Sequence, residues 1–256
     1  MKSPLTLIQI SDVHIPASAD MVCDVDARHN LLTLLKVFKQ QTWDLLVVSG
    51  DLAALYGEIE AYRWLKQQLD ALQRPYVIIA GNHDRRDTLS QVFTFKDLPV
   101  KLNHPIYYRY DIHDLPLLFL DTSDNTLSDN QIDWLKQQDQ HLTQPALLFM
   151  HHPPIDCQCY FMDKRYPLLN RDAVWSQLKK LKNIQHIFCG HYHTAKRLYR
   201  DGKWIYICPS TMNQINPLNP NYSASDKTPA WRVIQWDGEQ VWSRTYRKAV
   251  KHKALS

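Results

Sequence analysis

Tyr76-Val77-Ile78-Ile79-Ala80-Gly81-Asn82-His83-Asp84 is the stretch on which the reading of this chain turns. Its first five residues form an unbroken apolar run with three β-branched side chains in succession. The run is too short for a core helix and lacks polar alternation, so it predicts a strand buried on both faces. It stops at Gly81, and three polar side chains follow at once. Polar groups at the end of a buried strand must find partners. In open α/β sheets that position is also the crevice where ligands gather.

The same pattern recurs outward in both directions. Residues 5–10 run into Asp12-Val13-His14, and residues 45–49 into Gly50-Asp51. Residues 146–150 run into His151-His152-Pro153-Pro154, and residues 186–189 into Gly190-His191-Tyr192-His193. Further strand-like runs lie at 117–120 and 204–208. Helical faces separate them: Leu31, Leu34, Leu35 and Phe38 on one, Tyr62, Leu65, Leu69 and Leu72 on another. Ser128 and Gln131 have capping-box spacing ahead of Ile132 and Leu135, which predicts a third helix. Alternating strands and helices define an α/β fold. Beyond about residue 204 the pattern is mostly β, and Asp237-Gly238 between runs 231–236 and 240–246 predicts a hairpin. Residues 213–229, rich in Asn, Pro and Ser, predict a long loop of the functional kind.

The 256 residues suffice for one large domain. That domain is expected over 1–256, with the motif-bearing core at 5–195 and a C-terminal β segment and long loop at 204–247. A net charge of +4 suits an anionic substrate. It is no footprint for duplex nucleic acid, which calls for a clustered basic face. Arg244, Arg247, Lys248, Lys251 and Lys253 read as a solvated terminus. No apolar run reaches the roughly 18 residues of a membrane span, and the N-terminal run reads as a strand, not a signal peptide. Five cysteines, Cys23, Cys157, Cys159, Cys189 and Cys208, show no disulfide framework and fit a reduced, cytoplasmic protein.

Taken singly, each polar cluster has a bland reading. An Asp-x-His after a strand is a capped turn, Gly-Asp is a turn, and paired histidines are one buried and one solvated ring. Five such clusters, each at a strand end, point to one site. Asp12, Asp51, Asn82 and four histidines mix oxygen with imidazole, which suits borderline divalent metals such as Mn²⁺, Fe²⁺ or Zn²⁺. Two dications set against Asp12, Asp51 and a bridging hydroxide leave one net positive charge. Such a pair, about 4 Å apart, would activate water and clamp phosphate oxygens.

The five motifs in this order resemble the calcineurin-like metallophosphoesterase superfamily over roughly residues 5–195. The resemblance implies a four-layer αββα sandwich and two divalent metal ions. It implies Asp12, His14 and His193 on one ion, Asn82, His151 and His191 on the other, and Asp51 bridging them. Asn82 and His83 would contact the substrate phosphate, and His83 would stabilise it or protonate the leaving oxygen, with Asp84 orienting the ring. His151 is preferred to His152 because the family's ligand lies two residues before Pro.

A narrower resemblance, to the bacterial class III cyclic nucleotide phosphodiesterases, rests on Phe161-Met162-Asp163 and Leu169-Asn170 in a lid segment. It also rests on Pro209-Ser210-Thr211, Gln214, Pro217 and Pro229-Ala230-Trp231-Arg232. An extra residue near Tyr166-Pro167 and Ala230 in place of the usual Gly depart from that pattern. The resemblance implies a small-molecule phosphodiester substrate, with 3′,5′-cyclic AMP the first candidate. Its rivals are a 2′,3′-cyclic nucleotide, a glycerophosphodiester, a monoester, or a non-catalytic scaffold on the same fold; a nuclease lacks its basic face here. A homodimer is the partner expectation. Tyr160, Phe161 and Tyr166 in the lid offer stacking faces for a nucleobase. Cys157 and Cys159 read as lid packing ahead of a soft metal pair, Trp231 and Arg232 equally as a core Trp with a surface Arg or as contacts to a partner subunit or substrate, and Arg85 and Arg86 as solvent-facing.

Overall fold

The structure, a computed structural model, describes residues 4–94, 104–224 and 226–250. Among the described residues eleven strands pair into two mixed sheets. β1 (Leu5–Ile10), β2 (Leu45–Ser49), β3 (Tyr76–Ile79), β10 (Ala230–Trp236) and β11 (Val241–Arg247) form the first, in the order β11-β10-β1-β2-β3. β4 (Tyr108–Ile112), β5 (Leu115–Phe119), β6 (Ala146–Phe149), β7 (Ile184–Cys189), β8 (Lys196–Arg200) and β9 (Lys203–Ile207) form the second, in the order β4-β5-β6-β7-β9-β8. β1, β2 and β3 are parallel, as are β5, β6, β7 and β9.

The unbroken apolar runs are explained by what lies on each side of them. Side chains along a strand alternate between its two faces. Leu5 and Leu7 of β1, Leu45 and Val47 of β2, and Val77 and Ile79 of β3 meet Leu117, Phe119, Leu147 and Phe149 of the second sheet. The intervening residues Ile8, Ile10, Leu46, Val48 and Ile78 point the other way. There they pack on α1 (Ala27–Lys39), α2 (Ile59–Asp70) and α3 (Arg86–Val92). Leu118 and Leu148 likewise turn toward α4 (Asp129–His141) and α6 (Arg171–Leu178). Helix, sheet, sheet and helix are therefore the four layers of an αββα sandwich. The helical residues in these contacts include Leu31, Leu34, Leu35, Phe38, Tyr62, Leu65 and Leu69, as their spacing predicts.

Between the sheets a column of rings crosses the second sheet. Tyr108, Phe119, Phe149, Phe188 and Tyr206 stack in succession, with centroids 4.8, 5.1, 5.2 and 4.6 Å apart. Each ring stands on a neighbouring strand of β4-β5-β6-β7-β9. The Tyr108 hydroxyl donates to the Ile78 carbonyl at 2.5 Å, tying this column to the first sheet.

The hairpin at Asp237-Gly238 forms between β10 and β11 as its turn residues predict. β4 and β8 escape the sequence reading. Both are sheet edges whose residues are half-buried or exposed, so no apolar run marks them. The capping box is a correction. Helix α4 does follow Ser128, but the Ser128 side chain makes no capping bond. Gln131 turns inward instead, accepting from the Asp121 backbone N–H and donating to its carbonyl, both at 2.8 Å. A buried backbone pair outbid an exposed cap. The loop over 213–229 carries one isolated bridge, Gln214 to Asp226. In the basic tail Arg244, Arg247 and Lys248 are exposed, while Lys251, His252 and Lys253 lie outside the described residues. Among the described residues no helix is long and apolar enough to cross a membrane.

Phe149 is fully buried at the centre of the ring column. Phe149→Ala should lower unfolding free energy by about 3–5 kcal/mol, the usual cost of emptying such a site. Urea unfolding followed by circular dichroism measures it, and a loss below about 1 kcal/mol would show that the column is not holding the sheets together.

Candidate metal centre

The strand-end loops are locked to one another before any side chain acts. The Asp12 N–H donates to the Gly50 carbonyl and the His14 N–H to the Asp51 carbonyl, extending the β1–β2 pairing past the sheet. The Gly190 N–H donates to the His151 carbonyl and does the same for β6 and β7. The two halves join where the His191 N–H donates to both Asp12 carboxylate oxygens, at 3.0 and 3.1 Å. Asp12, His14, Asp51, His191 and His193 all adopt left-handed backbone, with φ between 42° and 66°. That conformation costs a non-glycine residue about 1–2 kcal/mol, and such strain concentrates at functional sites.

The side chains gather into two overlapping groups. Asp12, His14, Asp51 and His193 bring one oxygen or nitrogen each within 4.8 Å of one another, and so do Asp51, His151 and His191. Asp51 belongs to both. Its Oδ2 lies 3.3 Å from His151 Nε2 and 3.7 Å from His14 Nε2. Asp12 Oδ1 lies 3.4 Å from His193 Nε2 and 3.9 Å from His151 Nε2. Asn82 stands beside this set with its Oδ1 buried and, among the described residues, without a hydrogen-bond partner.

Outer groups decide which nitrogen His151, His193 and His191 present. His151 Nδ1 donates to the Ser49 carbonyl at 2.8 Å, so Nε2 turns inward, buried and without a hydrogen-bond partner. His193 Nδ1 donates to Asn213 Oδ1 at 2.8 Å, and its Nε2 meets His14 Nε2 at 3.1 Å. His191 is turned over: Nε2 donates to the Tyr166 carbonyl at 2.9 Å, which leaves Nδ1 for the centre. Fixing the tautomer through the outer nitrogen is how proteins present imidazole to a metal.

Charge makes the same case. Asp12 and Asp51 are 0% and 2% exposed. Among the described residues neither forms an ion pair with Lys or Arg; their charged neighbours are histidines. Burial pushes Asp51 up, yet the charge of His151, 3.3 Å away, brings it well below the usual carboxylate range. The converse holds for His151, where burial pulls down but the Asp51 charge prevails and lifts the ring to about 9. Burial holds His14 near 3 and His191 near 4, so both are neutral donors. Ionised buried carboxylates, the neutral imidazoles of His14 and His191, and an orphaned amide oxygen fit divalent cations.

His83 and Asp84 are placed differently from expectation. The His83 N–H donates to Asp51 Oδ1 at 2.9 Å, and its ring Nδ1 donates to the Ala54 carbonyl at 3.0 Å. Asp84 does not hydrogen-bond the His83 ring. It is buried and accepts from the N–H groups of Leu52, Ala53 and Gly81 and from the Tyr62 hydroxyl. Asp84 thus fixes the loop that carries Ala54, and the Ala54 carbonyl holds His83. The orientation is indirect.

Arg86 is a second correction. Its side chain is 12% exposed and pairs with Asp121 and Asp124, whereas Arg85 is exposed as expected and pairs with Asp87. A third is Arg232, buried and donating to the Ile207 carbonyl at 2.7 Å and Ser243 Oγ at 2.8 Å. Trp231 is core, and Cys157 and Cys159 pack beneath the lid. The sequence reading missed Asn213, Tyr62 and the carbonyls of Ser49, Ala54 and Tyr166. Asn213 opens the long loop read as functional, which was a usable signal; a backbone carbonyl carries none.

Two sheets, five strand-end loops and a cluster of side chains able to hold metal are the fold and candidate site of a phosphoesterase. The chain belongs to the calcineurin-like phosphoesterase family, whose profile matches residues 5–195, and it is a metallophosphoesterase hydrolase. A "Probable cyclic nucleotide phosphodiesterase" of Fibrobacter succinogenes is 38% identical, over 96% of this chain and 94% of that protein. The Escherichia coli K12 "3′,5′-cyclic adenosine monophosphate phosphodiesterase CpdA" is 24% identical, over 90% and 84%. The "Glycerophosphodiester phosphodiesterase GpdQ" of Enterobacter lignolyticus is 29% identical, over 98% and 93%.

A Cβ at Gly81 would fall 2.3 Å from Asp51 N and Oδ1 and 2.8 Å from His151 Nε2. Gly81→Ala should therefore lower metal content measured by elemental analysis to well under that of the native chain while circular dichroism stays native. Unchanged metal content would mean that the crowding at Asp51 is harmless.

Proposed function

We propose that this chain is a two-metal phosphodiesterase acting on a 3′,5′-cyclic nucleotide, with cyclic AMP the first candidate. The carrying observation is the pair of overlapping donor groups sharing Asp51; the names of the Fibrobacter and E. coli relatives support the choice of substrate. In this reading Asp12, His14 and His193 hold one ion, Asn82, His151 and His191 the other, and Asp51 serves both. Bound there, two dications supply Lewis-acid polarisation of the phosphoryl oxygens and a water acidic enough to attack at neutral pH. Mn²⁺, Fe²⁺ and Zn²⁺ suit the donor set.

The chain's own groups do the rest. Asn82 and His83 face the phosphate. With Nδ1–H held by the Ala54 carbonyl, the doubly protonated His83 ring would present Nε2–H to a leaving oxygen and deliver that proton there, returning to the neutral Nδ1–H tautomer. The lid over 156–171 includes the short helix α5 (Tyr160–Arg165). Tyr160 and Tyr166 in it are exposed, and Phe161 sits edge-on to both Tyr166 and Tyr222 at 5.7 Å. These faces suit a nucleobase. The chain acts as one domain, since β9, β10 and β11 from its C-terminal part complete both sheets. Its five free thiols suit the cytoplasm.

The glycerophosphodiesterase relative favours a second reading, in which the same centre cleaves an acyclic diester. Turnover by the Mn²⁺-loaded chain separates the two. The panel is cyclic AMP, cyclic GMP, 2′,3′-cyclic AMP, glycerophosphoethanolamine, bis(p-nitrophenyl) phosphate and p-nitrophenyl phosphate. We expect higher kcat/KM for the bis ester than for the monoester, measurable cyclic AMP hydrolysis, and loss of all activity on chelation. Monoester preference would reject the diesterase; glycerophosphodiester cleavage without cyclic AMP turnover would favour the second reading.

His83→Ala should keep native metal content and lose roughly 10²- to 10⁴-fold in kcat, the span typical of acid–base groups. Elemental analysis beside single-turnover kinetics measures both, and a rate at the native level would remove His83 from the chemistry.

A further inference from the structure

His152 follows the proposed ligand His151 and is fully buried, yet nothing above uses it. Both of its ring nitrogens are committed elsewhere. The Thr122 hydroxyl donates to His152 Nδ1 at 2.8 Å, and the same oxygen accepts the His152 backbone N–H at 3.2 Å. His152 Nε2 then carries the proton and donates to Asn125 Oδ1 at 3.0 Å. A ring so engaged cannot reach for a metal, and it cannot rotate without breaking two hydrogen bonds.

This fixed ring lies against the centre. Its centroid is 4.1 Å from that of His191 and 5.1 Å from that of His151. His191 is also held from its far side, where Nε2 meets the Tyr166 carbonyl of the lid. The lid in turn is bonded to the loop that anchors His152. The Leu169 N–H donates to the Asn125 carbonyl at 2.8 Å, and the Asn170 side chain exchanges two hydrogen bonds with the Leu127 backbone. One loop, residues 122–127, therefore grips His191 twice, through the face of His152 and through the lid.

A histidine packed only to fill the core would need its nitrogens satisfied. It would not need to stand ring to ring against an inward-turned imidazole of the metal group. We propose that His152 is a positioning residue: clamped by Thr122 and Asn125, it fixes the pose of the His191 ring and sets the affinity of the ion held there. This inference rests on the dinuclear reading above. It assigns His152 no contact with substrate or metal. Its effect falls on one ion, because His14 and His193 of the other group are held by Asp12, Asp51 and Asn213.

The test is titration of the chelator-stripped full chain with Mn²⁺ alone, by calorimetry, with electron paramagnetic resonance of the singly loaded form. Thr122→Val keeps the shape and removes the hydroxyl; Thr122→Ser keeps the hydroxyl; His152→Phe keeps a ring and removes both hydrogen bonds. The native chain should show two Mn²⁺ sites. Thr122→Val and His152→Phe should weaken one of them about 10- to 100-fold, the range for outer groups that orient a ligand. The other site should stay within about twofold, and Thr122→Ser should restore the native isotherm. The singly loaded spectrum should match that of His191→Ala and differ from that of His14→Ala. Equal weakening of both sites, native affinity in both variants, or a spectrum matching His14→Ala would overturn the inference. Should His152→Phe fail to fold, the Thr122 pair decides. A native chain that does not take up two Mn²⁺ ions would overturn the dinuclear reading, and this inference with it.

Discussion

Two carboxylates sit where no lysine or arginine among the described residues reaches them, and much of the architecture follows from that. Asp12 and Asp51 are buried beneath the loops that carry them, and burial alone would drive each toward its neutral acid. Imidazoles approach them from three directions and offset that penalty. The rings of the centre must be aimed, so His151, His191 and His193 each present one nitrogen inward while a carbonyl or amide oxygen holds the other. The loops that do this require left-handed turns at residues that disfavour them. Such strain persists only where the surroundings over-determine it, here through loop-to-loop backbone bonds and a sandwich buried on both faces.

The sandwich and the centre were legible for different reasons. Runs such as 45–49 and 146–150 lack alternation because both faces are covered, and that signal survives in a bare sequence. The seven expected ligand residues stand at strand ends, where six of them contribute to the two donor groups and Asn82 leaves an orphaned oxygen. Edge strands β4 and β8 were not legible, because an exposed strand of charged and aromatic residues resembles a loop.

Roles were harder to read than positions. Asp84 follows His83, and adjacency invites a direct contact. The turn points Asp84 instead into the protein, toward three backbone N–H groups and the Tyr62 hydroxyl, whose unmet donors would cost more than an unoriented ring. Arg86 and Arg232 were misread for a related reason. Charge predicts exposure until a buried carboxylate or a run of carbonyls provides partners, and neither Asp121 nor the Ile207 carbonyl announces itself in sequence. Outer partners made of backbone are invisible by nature.

The bond from the His191 N–H to Asp12 closes a loop of 179 residues, the separation between the two positions. Contacts so distant along the chain form late, after both sheets have paid their closure entropy. The donor groups are therefore assembled by the fold itself, and no short segment of the chain carries either of them complete. An ion held by these groups would bind the finished sandwich, and the pool around the folded chain would select it. Which metal works in this enzyme is then partly a property of the compartment and its metal economy, settled after the polypeptide has completed its own assembly.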